Sequence, residues 1–262
     1  MSRCRFLGPC AALLAMAFVT AAAGPGQNPV PAPNAFPAIV LPGLGPHDPR
    51  RVMDTKAQPW GGVVLLQIPG ISRCTASLVA PRLALTAAHC LYGPRLGHFV
   101  PPEAVHVLSG YVGGDYARHS IATALRIAPG YNPIRPAATR AADFALVTLA
   151  EKLIAPDGAL GLDRQPVTTG ERLMLGGYSQ DRAEILTADT LCHAAGLVML
   201  PGGAIMLRHD CAGTRGTSGA PVLAQGADGR WRIAGLEVAA VTGEAEGLAV
   251  PAATLASILP PP

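Results

Sequence analysis

Three segments of the chain place residue types where chemistry needs them. Thr86-Ala87-Ala88-His89-Cys90 follows the apolar run Leu83-Ala84-Leu85, so a histidine stands just past a strand-like segment. Asp143-Phe144-Ala145-Leu146-Val147 opens with an acid a run that should be buried. Gly216-Thr217-Ser218-Gly219-Ala220-Pro221 brackets a serine with glycines in a Gly/Thr-rich turn. Singly, each has a plain structural explanation: histidines flank strands, acids end them in solvent, and a Gly-x-Ser-Gly stretch can be only a turn. Together they supply the groups that acyl transfer requires. These are a hydroxyl nucleophile, a base that titrates near neutral pH, and an acid that holds the base's tautomer. Gly216 and Gly219 permit a tight turn in which the N–H groups of Gly216 and Ser218 converge on a developing oxyanion.

The elements that must position these residues are short apolar runs punctuated by Gly and Pro. Strands are expected at 63–68, 76–79, 83–86, 104–108, 121–127 and 144–149, and again at 172–175, 184–186, 195–200, 204–208, 221–223, 231–236 and 248–250. Such short, evenly spaced strands point to an all-β protein of barrels or sandwiches rather than βαβ units. The stretch 155–165 has no strand pattern and marks a boundary between two sets. One helix is expected, a short C-terminal one over 252–259, stopped by Pro260 to Pro262.

The N-terminus has a separate character. Arg3 and Arg5, the apolar run Ala11 to Val19 and the small residues Ala21 to Ala23 have the layout of a secretory signal peptide over 1–23. Residues 24–46 hold seven prolines and no charge, so 24–51 reads as a linker or propeptide. The expected organisation is then an N-terminal set over 52–154, a linker over 155–165 and a C-terminal set and tail over 166–262. Removal of the leader leaves Cys74, Cys90, Cys192 and Cys211, an even number that reads as two disulfides in a secreted or periplasmic protein.

Composition excludes other classes. The 262 residues are 50% hydrophobic and 14% charged, so the chain is not a charge-rich disordered one. A net charge of +3 without Lys/Arg runs gives no reason to expect a nucleic-acid partner. Beyond residue 20 no apolar stretch reaches the roughly 18 residues of a spanning helix. No H-E-x-x-H and no phosphate-cradling G-x-x-x-x-G-K-[ST] is present, so neither a metal nor another cofactor is expected. Oligomeric state is not legible.

TAAHC, DFALV and GTSGAP, in that order, resemble the signature segments of the chymotrypsin/trypsin-like serine peptidases. The surrounding pattern is similar to the secreted bacterial branch that includes the glutamyl endopeptidases, and the likeness runs from about residue 48 to about 258. It implies two six-stranded antiparallel barrels with the active site between them, and a polypeptide substrate. Position by position, it makes His89 the general base, Asp143 its orienting acid and Ser218 the nucleophile, with Gly216 and Ser218 as oxyanion donors. It also implies a Cys74–Cys90 bridge beside the histidine, which leaves Cys192 and Cys211 as the second pair across a hairpin.

The chain departs from the family in its pocket. Ala212 stands where trypsin keeps its pocket aspartate, and Glu237 where glutamyl endopeptidases place a histidine. Arg215 lies near. Ala239 and Ala240 replace residues that commonly line the substrate cleft. The expectation is a secreted serine endopeptidase working through an acyl-enzyme. The competing reading is a catalytically silent homologue that binds peptides or a partner protein. An esterase with the G-x-S-x-G elbow would carry its acid and histidine after the serine, the opposite order.

Overall fold

The computed structural model describes residues 41–242 and 244–260. The proposed signal peptide, and the linker up to residue 40, lie outside the described residues.

Twelve strands form two closed barrels. The first comprises β1 (Val63–Ile68), β2 (Ser72–Ala80), β3 (Leu83–Thr86), β4 (His106–Ser109), β5 (Arg118–Ile127) and β6 (Ala145–Leu149), paired in the circuit β1-β2-β3-β6-β5-β4 and back to β1. The second comprises β7 (Arg172–Gly177), β8 (Thr187–Met199), β9 (Ile205–His209), β10 (Pro221–Gln225), β11 (Trp231–Ala240) and β12 (Gly247–Pro251). Its circuit is β7-β8-β9-β12-β11-β10 and back to β7, the same connectivity, and all pairings are antiparallel. Closure removes the sheet edges that would otherwise leave unpaired N–H and C=O groups. The expected all-β architecture of two six-stranded barrels is the architecture observed. The C-terminal helix is shorter than its apolar pattern, a single α-turn α1 (Ala252–Leu255) followed by a 3₁₀ turn over Ala256–Ile258.

Most expected strands stand within a few residues of their predicted ends; the two exceptions are the segment 184–186 and the strand expected over 195–200, which begins at Thr187. Residues 184–186 are a turn, not a strand. Their backbone is engaged elsewhere: Glu184 O accepts from Gly113 N–H at 2.8 Å and Leu186 O from Met53 N–H at 3.0 Å, while Glu184 pairs with Arg73 at 3.2 Å. That turn is docked on the first barrel. The strand begins after it and runs 13 residues, from Thr187.

Both barrels are packed rather than hollow. Leu65, Leu66, Leu78 and Leu85 in the first have 0% exposure, and burying each such side chain stabilises by about 2 kcal/mol. The second is lined with small residues, Ala194, Ala220, Ala224, Ala234 and Ala249 among them. A continuous cluster runs from the first barrel through Trp60 to Tyr178, Leu223 and Leu236 of the second. A separate cluster, with Leu173, Leu175, Leu207 and Val222 beside those alanines, lies within the second barrel alone.

Ahead of the first barrel, the chain is tied to the second. Arg51 and Val52 pair with Ala188 and Thr187 of β8. The Arg50 guanidinium, 1% exposed, meets Asp48 at 2.9 Å and Asp181 at 2.6 Å. Those bonds from Arg50 hold the Asp48 carboxyl below its ordinary range. Further back, Gly43 N–H donates to Val241 O at 2.6 Å and Gly43 O accepts from Gly213 N–H at 3.0 Å.

Candidate active site

His89 sits on a one-turn 3₁₀ segment, Ala88–Leu91, directly after β3. Ala87 and Ala88 are fully buried, so the turn is pressed against the barrel with only small side chains beneath it. The Cys74–Cys90 disulfide fixes it to β2, with Cα atoms 6.2 Å apart, and Ser72 Oγ donates to Cys90 O at 2.6 Å. The implied second bridge, Cys192–Cys211, is also formed. Replacing Cys74 and Cys90 together by serine should cost about 3 kcal/mol through the freed unfolded chain. Thermal unfolding should register this as a fall of roughly 6–12 °C.

Asp143 closes the 3₁₀ turn Arg140–Ala142 just before β6. Its carboxylate is 4% exposed and both oxygens are spent on one residue. Oδ1 accepts from the main-chain N–H of His89 at 2.8 Å, and Oδ2 lies 2.7 Å from its Nδ1. A carboxylate only accepts, so the ring proton is on Nδ1 and Nε2 keeps its lone pair. The carboxylate therefore fixes both the ring's position and its tautomer. Nearby, burial and the Asp143 charge push the Tyr131 hydroxyl well above the ordinary tyrosine range, so that it stays protonated.

Ser218 lies in the loop from β9 to β10, between two glycines of positive φ. Gly216 has φ +95°, and a Cβ there would stand 2.9 Å from Gln180 N and collide with Tyr178 O. Gly219 has φ +81°, and a Cβ would stand 2.8 Å from Ala87 N and collide with Thr75 O and Thr86 Oγ1. The serine turn is thus laid on the histidine's own strand and turn.

Thr75 of β2 locks that contact. It is fully buried; its N–H donates to Ser218 O at 3.0 Å and its Oγ1 to Gly216 O at 2.8 Å, while Oγ1 accepts from Tyr178 N–H at 2.9 Å. With these carbonyls turned toward Thr75, the N–H groups of Gly216 and Ser218 have no acceptor among the described residues. Sequence reasoning assigned Thr75 no role. Nothing in its strand-like surroundings signals contacts made more than 100 positions away.

The structure therefore brings His89 and Asp143 into direct contact and lays the Ser218 main chain against the neighbouring Cys90, with Ser218 O 3.8 Å from Cys90 Sγ. Among the described residues the His89 ring bonds to Asp143 alone, and no hydrogen bond joins it to Ser218 Oγ. Such bonds often tighten only when substrate is present. Two other serines of the first barrel, Ser77 and Ser109, are buried in or at the end of strands.

The pocket residues are split. Glu237 is buried and lines a cavity of about 100 Å³ with Ser218, Thr214, Thr217, Arg215, Ala240 and Pro42. Ala212 is buried too, but its N–H donates to Asp189 Oδ2 at 3.0 Å and it does not line this cavity. Glu237 Oε2 lies 2.6 Å from Nε2 of His209, a residue with 0% exposure to which sequence reasoning gave no role.

Two barrels of identical connectivity, with the histidine and acid on loops of the first and a glycine-bracketed serine on the second, define a chymotrypsin-like fold. The chain belongs to the trypsin-like peptidase domain family, whose model matches residues 74–235. It is 25% identical over 201 residues to a glutamyl endopeptidase of Bacillus licheniformis, a match covering 76% of this chain and 58% of that relative's length. Among solved structures, a Glu endopeptidase in complex with MPD aligns with TM-score 0.66 at 19% identity, over 82% of this chain and 96% of that one. The inactive form of Rv3671c from M. tuberculosis H37Rv aligns with TM-score 0.54 at 17% identity, over 75% and 84%. The family makes the protein a peptidase relative, and the structural likenesses bear on its fold.

Proposed function

We propose that the protein is a secreted serine endopeptidase that cleaves polypeptides through an acyl-enzyme. Ser218 Oγ attacks the scissile carbonyl carbon as its proton passes to His89 Nε2. The oxyanion of the tetrahedral adduct takes the N–H groups of Gly216 and Ser218, each worth about 3 kcal/mol in such a site. Collapse breaks the C–N bond, and the proton on His89 goes to the leaving amine. Water, deprotonated by His89, then attacks the ester, and the acid product leaves with Ser218 restored. Asp143 stays ionised throughout and stabilises the imidazolium.

The observation that carries this reading is the double grip of Asp143 on His89, which leaves Nε2 as the acceptor. Two formed disulfides support an oxidising compartment, secreted or periplasmic. Among the described residues, no helix is long and apolar enough to cross a membrane.

The test is labelling of the exported protein with a fluorophosphonate, beside the Ser218→Ala variant. Labelling of the wild type alone is the expected result. No labelling of either would overturn the proposal in favour of the silent binding homologue.

A further inference from the structure

Glu237 presents an unusual arrangement beside the nucleophile. Its side chain is 4% exposed and contacts His209, whose side chain is wholly buried. The Nδ1 of His209 accepts from Cys211 N–H at 3.3 Å, so its ring proton sits on Nε2 and is donated to Glu237 Oε2 at 2.6 Å. A ring held in this way is neutral. It orients the carboxylate without cancelling its charge.

The second oxygen, Oε1, has no hydrogen-bond donor among the described residues, and Glu237 lines the cavity shared with Ser218. Thr214 lines the same cavity, and its buried Oγ1 is likewise without a partner among the described residues. The cavity's other charged residue, Arg215, is exposed and makes no ion pair with Glu237 within 4.0 Å. A buried carboxylate that lines a cavity and has one oxygen without a hydrogen bond is stabilised by a cation entering that cavity and repels an anion. Burial raises the Glu237 pKa, and the neighbouring His209 and His89 oppose that rise.

We propose that Glu237, oriented by His209, is the specificity-determining residue of this site and selects a lysine or arginine side chain on the acyl side of the scissile bond. This rests on Ser218 being the nucleophile. The ammonium or guanidinium group bonds to Glu237 Oε1, with the Thr214 hydroxyl as a second acceptor. His209 is a positioning residue: it acts through Glu237 and touches no substrate.

The experiment measures kcat/KM on fluorogenic peptides that differ only in that residue: Lys, Arg, Gln, Leu or Glu. Lysine and arginine substrates should exceed the glutamine one by about 100-fold, because an uncharged side chain leaves the buried carboxylate unpaired. Glu237→Gln should erase that advantage, bringing the lysine and arginine substrates to within a few-fold of the glutamine one. Labelled wild-type protein that turns over all five alike, or prefers Glu, would overturn the inference and leave the proposed function standing. Wild-type protein that takes no label would overturn the proposed function instead. Should Glu237→Gln fail to fold, protection of the wild type decides: an arylamidinium must slow labelling and its uncharged isostere must not.

Discussion

Asp143→Asn should lower kcat for peptide hydrolysis by about 10⁴-fold with KM nearly unchanged. The reason lies in how the carboxylate divides its oxygens. The main-chain N–H of His89 can only donate, and it holds Oδ1 at 2.8 Å. An asparagine has one acceptor oxygen, and that N–H claims it. The amide NH₂ is then turned toward Nδ1, at the place where Oδ2 now lies 2.7 Å away. Nδ1 must become the acceptor, so the ring proton moves to Nε2. A protonated Nε2 cannot take the Ser218 proton. Because asparagine fits the same space and keeps the main-chain bond, the fold should survive, and a thermal melt within a few degrees of wild type would confirm it. Steady-state rates on any cleaved peptide decide the matter; a loss of less than tenfold would mean that Asp143 does not set the tautomer.

Gly219→Ala should cost at least about 4 kcal/mol, the range reserved for changes that the surrounding structure cannot absorb. In a domain of this size that is a fall of roughly 10 °C in the unfolding midpoint. The new Cβ would stand 2.8 Å from Ala87 N and on top of Thr75 O and Thr86 Oγ1. These atoms are backbone or held by hydrogen bonds: Thr86 Oγ1 donates to Thr75 O at 2.8 Å. No flexible side-chain end is there to give way. Gly229→Ala is the matched control. It has a similar φ, +76°, but nothing lies within 4 Å of its would-be Cβ, so only the left-handed backbone is penalised, at about 1 kcal/mol. Calorimetry on the two variants separates collision from conformation, and equal midpoints would refute the collision argument. Gly219→Ala should also lose activity, since the serine turn and the histidine turn meet at this glycine.

What the sequence made legible follows from how far each signal reaches. The segments around His89, Asp143 and Ser218 are local, so each could be found by reading a few residues, and β1 is a nearly continuous apolar run that announces itself. The strand β8 was harder to see. From Leu191 to Leu197 its inward positions are Cys192, Ala194 and Gly196, while Leu191 and Leu197 face out at 69% and 52% exposure. Leu173, Leu175, Leu207 and Val222 supply the bulk of the second barrel's interior, and this stretch of β8 contributes only small inward side chains to it, which inverts the usual apolar alternation. Residues 184–186 read as a strand because their composition suits one. Their backbone partners, Gly113 and Met53, are far off in sequence and decide otherwise. The same holds for Thr75 and for His209 beneath Glu237: each is defined by contacts between loops and strands that only the closed barrels bring together.

The segment ahead of the first barrel has its partners in the second, and this bears on the order of events during synthesis. Arg50 waits for Asp181, 131 positions later, and Arg51 for Ala188. At about 5–20 residues per second, the interval is on the order of ten seconds. The first barrel's six strands are all complete before then, since β6 ends at Leu149. That barrel can close on the nascent chain with its leading arm still unpaired, and the arm is fastened only when the second barrel has formed. The arm ahead of the first barrel, though made before it, is thus fixed in place after it.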